Sequence, residues 1–197
     1  MPNLLVRRCD IFILDIETLG VESTSVVLSA ALLYFDEKDK YTFEQLVNKC
    51  CFVKFDANDQ IKNYKRTVDK GTIDWWKEQT AETRKLSVSP SANDVSVEKG
   101  IKVFKEYIRD NSTDNKEICW IRGTIDQTCM ESLCRALGTP PIFEYWQYRD
   151  IRTALDLLKE TTKKGYCKIP GFDFSKISKH DPVHDISLDV MMLLYGE

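Results

Sequence analysis

The chain has 197 residues, of which 43% are hydrophobic and 30% are charged, a size and balance that suit one globular domain over residues 1–197. No apolar run approaches the roughly 20 residues needed to cross a bilayer, and no cleavable secretory signal is evident, so we expect an intracellular protein without a membrane partner. The net charge of −3 argues against a broad basic surface that grips nucleic acid.

The first third of the chain is dominated by apolar runs that predict strands. Residues 10–17, "DIFILDIE", predict a buried central strand, and residues 25–35 and 46–55 predict a hairpin or meander. Residues 71–86 then have the pattern of a helix, for which Thr72 is a plausible N-cap.

The rest of the chain mixes one strand with several helices. Together with the preceding strands, this order predicts an α/β fold in which helices flank one central mixed sheet. The predicted elements are a helix from about residue 95, a strand at 117–123, a helix at 126–138 closed by Gly138, a helix at 149–164, a loop at 161–183 and a final helix at 185–196.

Asp15 and Glu17 form a pair of acids at the end of the first predicted strand. Residues two apart in a strand point to the same face, so these carboxylates project together. Two neighbouring carboxylates repel each other, and a divalent cation between them relieves that cost, since Mg²⁺ and Mn²⁺ prefer hard oxygen ligands. In an isolated pair of this kind, one acid commonly caps a turn and the other is solvated.

Asp126 follows the strand at residues 117–123, at the start of a helix. It has two plausible roles, as the N-cap of that helix and as a member of an acidic site at the edge of the sheet. Three acids at strand edges in one small domain favour a shared site.

Residues 179–190, "KHDPVHDISLDV", contain both histidines of the chain, and each has an aspartate five residues further on. Asp185 fits best as the N-cap of the last helix. Asp189 lies one turn further in, where an unpaired carboxylate is costly to bury, so a metal would satisfy it. His184 would then lie on the loop ahead of the helix, facing substrate, whereas His180 would be a partly exposed loop residue.

The motifs "DIETLG", "RGTID" and "HDISLD" resemble the three exonuclease motifs of the DnaQ-like superfamily, DEDDh branch, which has an RNase H-like fold. "TIDWWKEQ" and "WQYRDIRTALDLL" add a resemblance, over almost the whole chain, to the exonuclease A (DexA) group of T-even-type bacteriophages and its exoribonuclease-like relatives. One departure is Ile125, where the family usually has Phe. The resemblance implies a set of metal ligands and a general base: Asp15, Glu17, Asp126 and Asp189 as ligands, and His184 as the base.

The resemblance also implies an activity, which is 3′-5′ hydrolysis of DNA to nucleoside 5′-monophosphates with two Mg²⁺ or Mn²⁺ ions. RNA is the alternative substrate, and a non-catalytic nucleic-acid-binding module is a third reading, although such a module would be expected to lose an acid or the histidine. A phage-encoded protein would work in the host cytoplasm, as monomer or homodimer. The expected substrate contacts are Ile16, Thr18, Leu19, Trp75 and His184. Helix geometry allows Trp76 to turn to the core and Trp75 to stack on a base, and structural packing of both tryptophans is the alternative.

Overall fold

A computed structural model describes residues 10–113, 116–161 and 164–197. The first nine residues of the predicted domain lie outside this part of the chain. Five strands form one sheet in the order β3-β2-β1-β4-β5. Because β1 pairs antiparallel with β2 and parallel with β4, the predicted mixed sheet is confirmed. The strands are β1 (Asp10–Thr18), β2 (Val27–Phe35), β3 (Cys51–Lys54), β4 (Glu117–Ile121) and β5 (Tyr148–Asp150).

Helices cover both faces of the sheet, as the α/β prediction requires. Short 3₁₀ helices span Tyr145–Gln147 and Phe174–Lys176. The α-helices are α1 (Phe43–Lys49), α2 (Ala57–Tyr64), α3 (Lys70–Glu78), α4 (Ala81–Ser87), α5 (Val97–Asn111), α6 (Ile125–Leu137), α7 (Ile151–Leu158) and α8 (Pro182–Tyr195).

Alternation along β1 sends its side chains into two cores. Phe12 and Leu14 pack in one core with α5 and α6, whereas Ile13 packs in the other with Ile186 and Val190 of α8. Asp15 and Glu17 lie two and four residues after Ile13, so their side chains point to the same face of the sheet and toward the layer that contains α8.

The predicted strand at residues 46–55 is wrong in its first half, which is helix α1. Thr42 and Gln45 form a reciprocal capping box that starts this helix, and Phe43 and Leu46 bury its inner face. The helix ends at Lys49, so only Cys51–Lys54 pairs with β2. The local capping signal therefore outweighs the apolar character of the segment.

The predicted helix at residues 71–86 is two helices, α3 and α4, with separate caps. The side chain of Asp69 caps α3 at the amide of Thr72, and Thr80 caps α4. Thr72 is therefore not the N-cap that the sequence suggested. Helix α2, which was not predicted, is held by buried Gln60, whose side chain bonds both backbone groups of Val27.

The last helix starts three residues earlier than predicted. Asp181 accepts a hydrogen bond from the amide of Val183 and is the N-cap, while Pro182 occupies the first helical position. The prediction that Asp185 is the N-cap is therefore wrong. His184 and Asp185 both lie inside the first turns of α8.

Across the described ranges, no helix combines the length and apolar character that spanning a membrane requires.

Candidate active site

The site begins with the two acids of β1. Asp15 pairs with Ala31 of β2, and Glu17 pairs with Ser29. The register of β1 against β2 shifts between Glu17 and Thr18, so regular pairing is interrupted directly after the second acid. Both carboxylates project from the same face of the sheet's central strand, as the alternation predicts.

Asp185 joins these two acids from α8. One carboxylate oxygen each of Asp15, Glu17 and Asp185 lies within 4.8 Å of the others. Sequence reasoning did not assign Asp185 to this cluster. The missed signal was Asp181-Pro182, a cap followed by a proline, which starts the helix early and places Asp185 inside it.

Asp126 lies beside this cluster at the second position of α6, and it is 2% exposed. The helix begins after Thr124, so Asp126 is not its N-cap. Burial raises the pKa of Asp126 to about 7, and backbone hydrogen bonds from Ile16 and Arg122 only partly oppose this shift.

The turn that carries Asp126 is fixed by Asp150. The Asp150 carboxylate caps α7 at the amide of Thr153, 2.7 Å away, and also accepts a hydrogen bond from the amide of Gly123 at 3.0 Å. Gly123 has a φ of +93°, a left-handed conformation that favours glycine. Asp150 therefore ties the end of β4 to α7 and helps to set the position of α6.

Asp189 is buried, but its carboxylate is paired with Arg122. Nε of Arg122 donates to Oδ2 of Asp189 at 3.1 Å, and Nη2 donates to Oδ1. The guanidinium also donates to the carbonyl of Gly165 and lies 4.3 Å from the ring centroid of Tyr166. The pairing with Arg122 compensates the buried charge of Asp189, so burial by itself does not require a metal at this carboxylate.

The acids line a cavity of about 670 Å³, and of the two histidines it is His180 that contributes to its wall. His184 lies in the first turn of α8, where its ring packs against Phe43 at 5.3 Å and its Nδ1 accepts a hydrogen bond from the amide of Ser178. The expected loop position of His184 is wrong. The cavity is lined by Asp15, Ile16, Glu17, Arg122, Ile125, Asp126, Arg152, Tyr166, Phe174, Ile177, Lys179, His180, Asp185, Leu188 and Asp189.

Burial and mutual repulsion raise the pKa values of the clustered acids. Burial is the largest cause for each, and it raises the pKa of Glu17 to about 9 and that of Asp185 to about 7. The pKa of Asp15 lies well above its usual range, through burial and then the charges of Asp126 and Glu17. Buried carboxylates this close together are stable only when they bind protons or cations.

We expect the metal-free protein to lose stability as the pH rises from about 4.5 toward about 9, the ordinary and the folded pKa of Glu17. The folded state binds more protons than the unfolded state over this range, so the free energy of unfolding falls with pH. The melting temperature measured against pH tests this, and Glu17→Gln should flatten the curve. A metal-free melting temperature that rises between pH 5 and 8 would contradict it.

The predicted substrate contacts are not all brought together. Ile16 lines the cavity. The Thr18 hydroxyl donates to the carbonyl of Gly20, and Leu19 packs against the cluster that includes buried Trp76. As the sequence predicted, Trp76 is in the core at 2% exposure and Trp75 is open at 39%, but the ring of Trp75 lies against His180.

The chain is similar in sequence to known exonucleases. Residues 10–193 match the family described as "3′-5′ exoribonuclease Rv2179c-like domain". The chain is 33% identical to the exodeoxyribonuclease of Enterobacteria phage T4, over 94% of this chain and 88% of the phage protein.

Two solved structures share the fold at low sequence identity. The nuclease domain of 3′hExo, a DEDDh family member bound to rAMP, superposes with a TM-score of 0.61 at 11% identity, covering 93% of this chain and 90% of that one. Exonuclease I in its apo form gives a TM-score of 0.56 at 10% identity, covering 95% of this chain and 42% of that one. The predicted RNase H-like exonuclease fold is confirmed.

Proposed function

We propose that this 3′-5′ exonuclease, which belongs to the family of Rv2179c-like 3′-5′ exoribonuclease domains, hydrolyses DNA from the 3′ end and releases nucleoside 5′-monophosphates. The phage relative is an exodeoxyribonuclease, which supports DNA as the substrate. The family description names an exoribonuclease, so RNA is the second candidate. The observation that carries the proposal is the convergence of three carboxylates on one cavity with His180 in its wall.

The donor set fits divalent cations. Asp15, Glu17 and Asp185 offer hard oxygen atoms within 4.8 Å of one another, and buried Asp126 adds a fourth carboxylate to the same cavity. We propose that these four acids hold two Mg²⁺ or Mn²⁺ ions. When bound, such ions supply positive charge that stabilises the attacking and leaving oxygens of an in-line displacement at phosphorus.

We assign the general base to His180 and the fourth ligand to Asp185, in place of His184 and Asp189. His180 lines the cavity, and burial followed by the charge of Lys179 lowers its pKa. A lowered pKa keeps the imidazole neutral near pH 7, so a ring nitrogen can accept a proton from water. Asp189 instead holds Arg122.

The residues beside the acids support binding of a strand end. Ile16 lies between Asp15 and Glu17 and lines the cavity, and Thr18 and Leu19 follow directly along the chain. We propose that Ile16, Thr18 and Leu19 contact the terminal nucleotide, with Leu19 packing on the last bases.

We expect a linear DNA strand labelled at its 5′ end to shorten gradually in Mg²⁺ or Mn²⁺ and to release mononucleotides. Each cut needs a free 3′ terminus, so closed circular single strands should resist, and excess EDTA should stop the reaction because the acids then lack cations. Gel analysis of the labelled strand and chromatography of the products measure both effects. Asp15→Asn is the matched inactive control.

The same assay separates the alternatives. Cleavage of circles as fast as linear strands would show an endonuclease, and full activity in EDTA would exclude the metal mechanism. A matched RNA strand that is degraded much faster than the DNA strand would replace DNA by RNA as the substrate.

A further inference from the structure

We propose that Trp75 is a positioning residue for His180, and that α3 and α4 together hold the imidazole at the acid cavity. This inference rests on the proposed function, in which His180 is the base. It assigns to Trp75 a role other than the base stacking that the sequence suggested.

The backbone of His180 is held in an unusual conformation. Its φ of +59° lies in the left-handed region, which residues with a Cβ rarely adopt. Such a conformation persists only where neighbouring groups over-determine it, and it often marks a functional site.

Helix α4 supplies two of those groups. The Ser87 hydroxyl donates to the carbonyl of His180 at 3.0 Å, and the Thr83 hydroxyl donates to the carbonyl of Lys179 at 3.5 Å. Both donors are buried, with 0% of Ser87 and 6% of Thr83 exposed. The hydroxyls therefore hold the carbonyl groups before and after the α-carbon of His180.

Helix α3 fixes the ring. The ring centroids of Trp75 and His180 lie 4.7 Å apart, and the two planes meet edge to face at 86°. Trp75 in turn packs against Trp76, whose ring centroid is 4.9 Å away. Edge-to-face contacts at these distances are favourable and directional, so they limit the rotation of the imidazole.

Trp76 connects these stacked rings to the end of β1. Its indole nitrogen donates to the carbonyl of Thr18 at 2.9 Å, and Thr18 follows Glu17 directly. A continuous path therefore runs from the end of β1 through Trp76 and Trp75 to His180. Its parts are one hydrogen bond and two ring contacts, so the imidazole is held at a fixed place relative to the acids.

A stacking role and a positioning role for Trp75 predict different kinetics. A residue that binds a base equally in the ground state and the transition state changes KM and leaves kcat intact. A residue that orients the general base changes kcat and leaves KM intact, and its effect vanishes when the base itself is absent.

The test is a double-mutant cycle on a linear labelled strand with Trp75→Leu, His180→Ala and the combined variant. We expect Trp75→Leu to lower kcat by about 10- to 100-fold, a part of the loss expected for the base, with KM unchanged. In the His180→Ala background, Trp75→Leu should not lower kcat further. Trp75→Phe should restore most of the rate, and Trp146→Leu, at an exposed tryptophan outside the cavity wall, should match wild type.

A second measurement does not depend on activity. The chain has two histidines, so His184→Gln assigns the imidazole signals of His180 in a proton NMR spectrum of the metal-free protein. Trp75→Leu should move the His180 signal, because the ring current of the indole is lost, and should leave the His184 signal in place.

These outcomes separate the two proposals. An increase in KM with kcat unchanged, or a full additional loss in the His180→Ala background, would overturn the positioning role and support base stacking. An unmoved His180 signal would overturn it as well. Full activity of His180→Ala, with the His180 signal still sensitive to Trp75, would refute the base assignment and leave the contact itself intact.

Discussion

Asp185→Asn is expected to reduce nucleotide release by about 100-fold or more while the protein stays folded. Replacing a residue that hydrogen-bonds to a metal ligand already costs about 10- to 100-fold, and Asp185 is a direct donor in our assignment, with an oxygen within 4.8 Å of oxygens of Asp15 and Glu17. The substitution removes one buried charge from a repulsive cluster, so the metal-free protein should melt at the same temperature or higher. Steady-state rates and thermal denaturation measure the two effects.

Asp189→Asn is the matched control, since it makes the same chemical change one turn further along α8. Its carboxylate pairs with Arg122, and the side chains are 9% and 14% exposed. Breaking a buried pair leaves an uncompensated charge and costs about 3 to 5 kcal/mol. We therefore expect a clearly lower melting temperature, with Mn²⁺ binding and measurable activity retained below it.

Calorimetric titration with Mn²⁺ provides the deciding measurement. Asp185→Asn should lose metal affinity, whereas folded Asp189→Asn should keep it. If Asp189→Asn loses the metal and Asp185→Asn keeps it, Asp189 is the ligand and the assignment made from the geometry fails.

His180→Ala is expected to lower kcat by about 10²- to 10⁴-fold, the usual contribution of a general base. His180 lines the acid cavity and holds no place in the cluster of metal donors. Mn²⁺ binding and KM should therefore change little. Single-turnover kinetics on a linear strand, with saturating metal, report the chemical step directly.

His184→Ala is the control for this prediction. The His184 ring packs against Phe43 and accepts a hydrogen bond from Ser178, so its loss should reduce stability and leave kcat close to wild type. The opposite result, in which His184→Ala is inactive and His180→Ala is active, would restore the pairing that the sequence first suggested.

The cavity also explains how an acidic chain accepts a polyanion. The net charge is −3, but Arg152 and Lys179 line the same cavity as the acids. These two cationic side chains lie beside the acids, and metal ions bound by the acids would offset the negative charge that a phosphate would otherwise meet.

Local sequence patterns predicted much of the sheet and the helices around it. The apolar alternation of residues 10–17 placed Asp15 and Glu17 on one face of a central strand, because strand side chains alternate with a period of two. The end of α6 at Gly138 was also predicted, and its φ of +73° is the left-handed cap that glycine supplies.

Helices α1 and α2 were missed for a common reason. Each is short, at seven and eight residues, and each begins at a side-chain cap rather than with a long apolar repeat. Thr42 with Gln45 was a readable signal for α1. The anchoring of α2 through Gln60 was not readable, because its partner Val27 lies 33 residues away.

The sequence by itself determined that Asp15 and Glu17 share one face at the end of β1, and it predicted that one of two histidine-aspartate pairs would join them. It could not choose the pair, because His180 with Asp185 and His184 with Asp189 have the same spacing of five. The choice depends on which carboxylate is already neutralised, and Arg122 reaches Asp189 across 67 residues. Only the packing of α8 against β1 and β2 brings Asp189 to that arginine and leaves Asp185 facing Asp15 and Glu17.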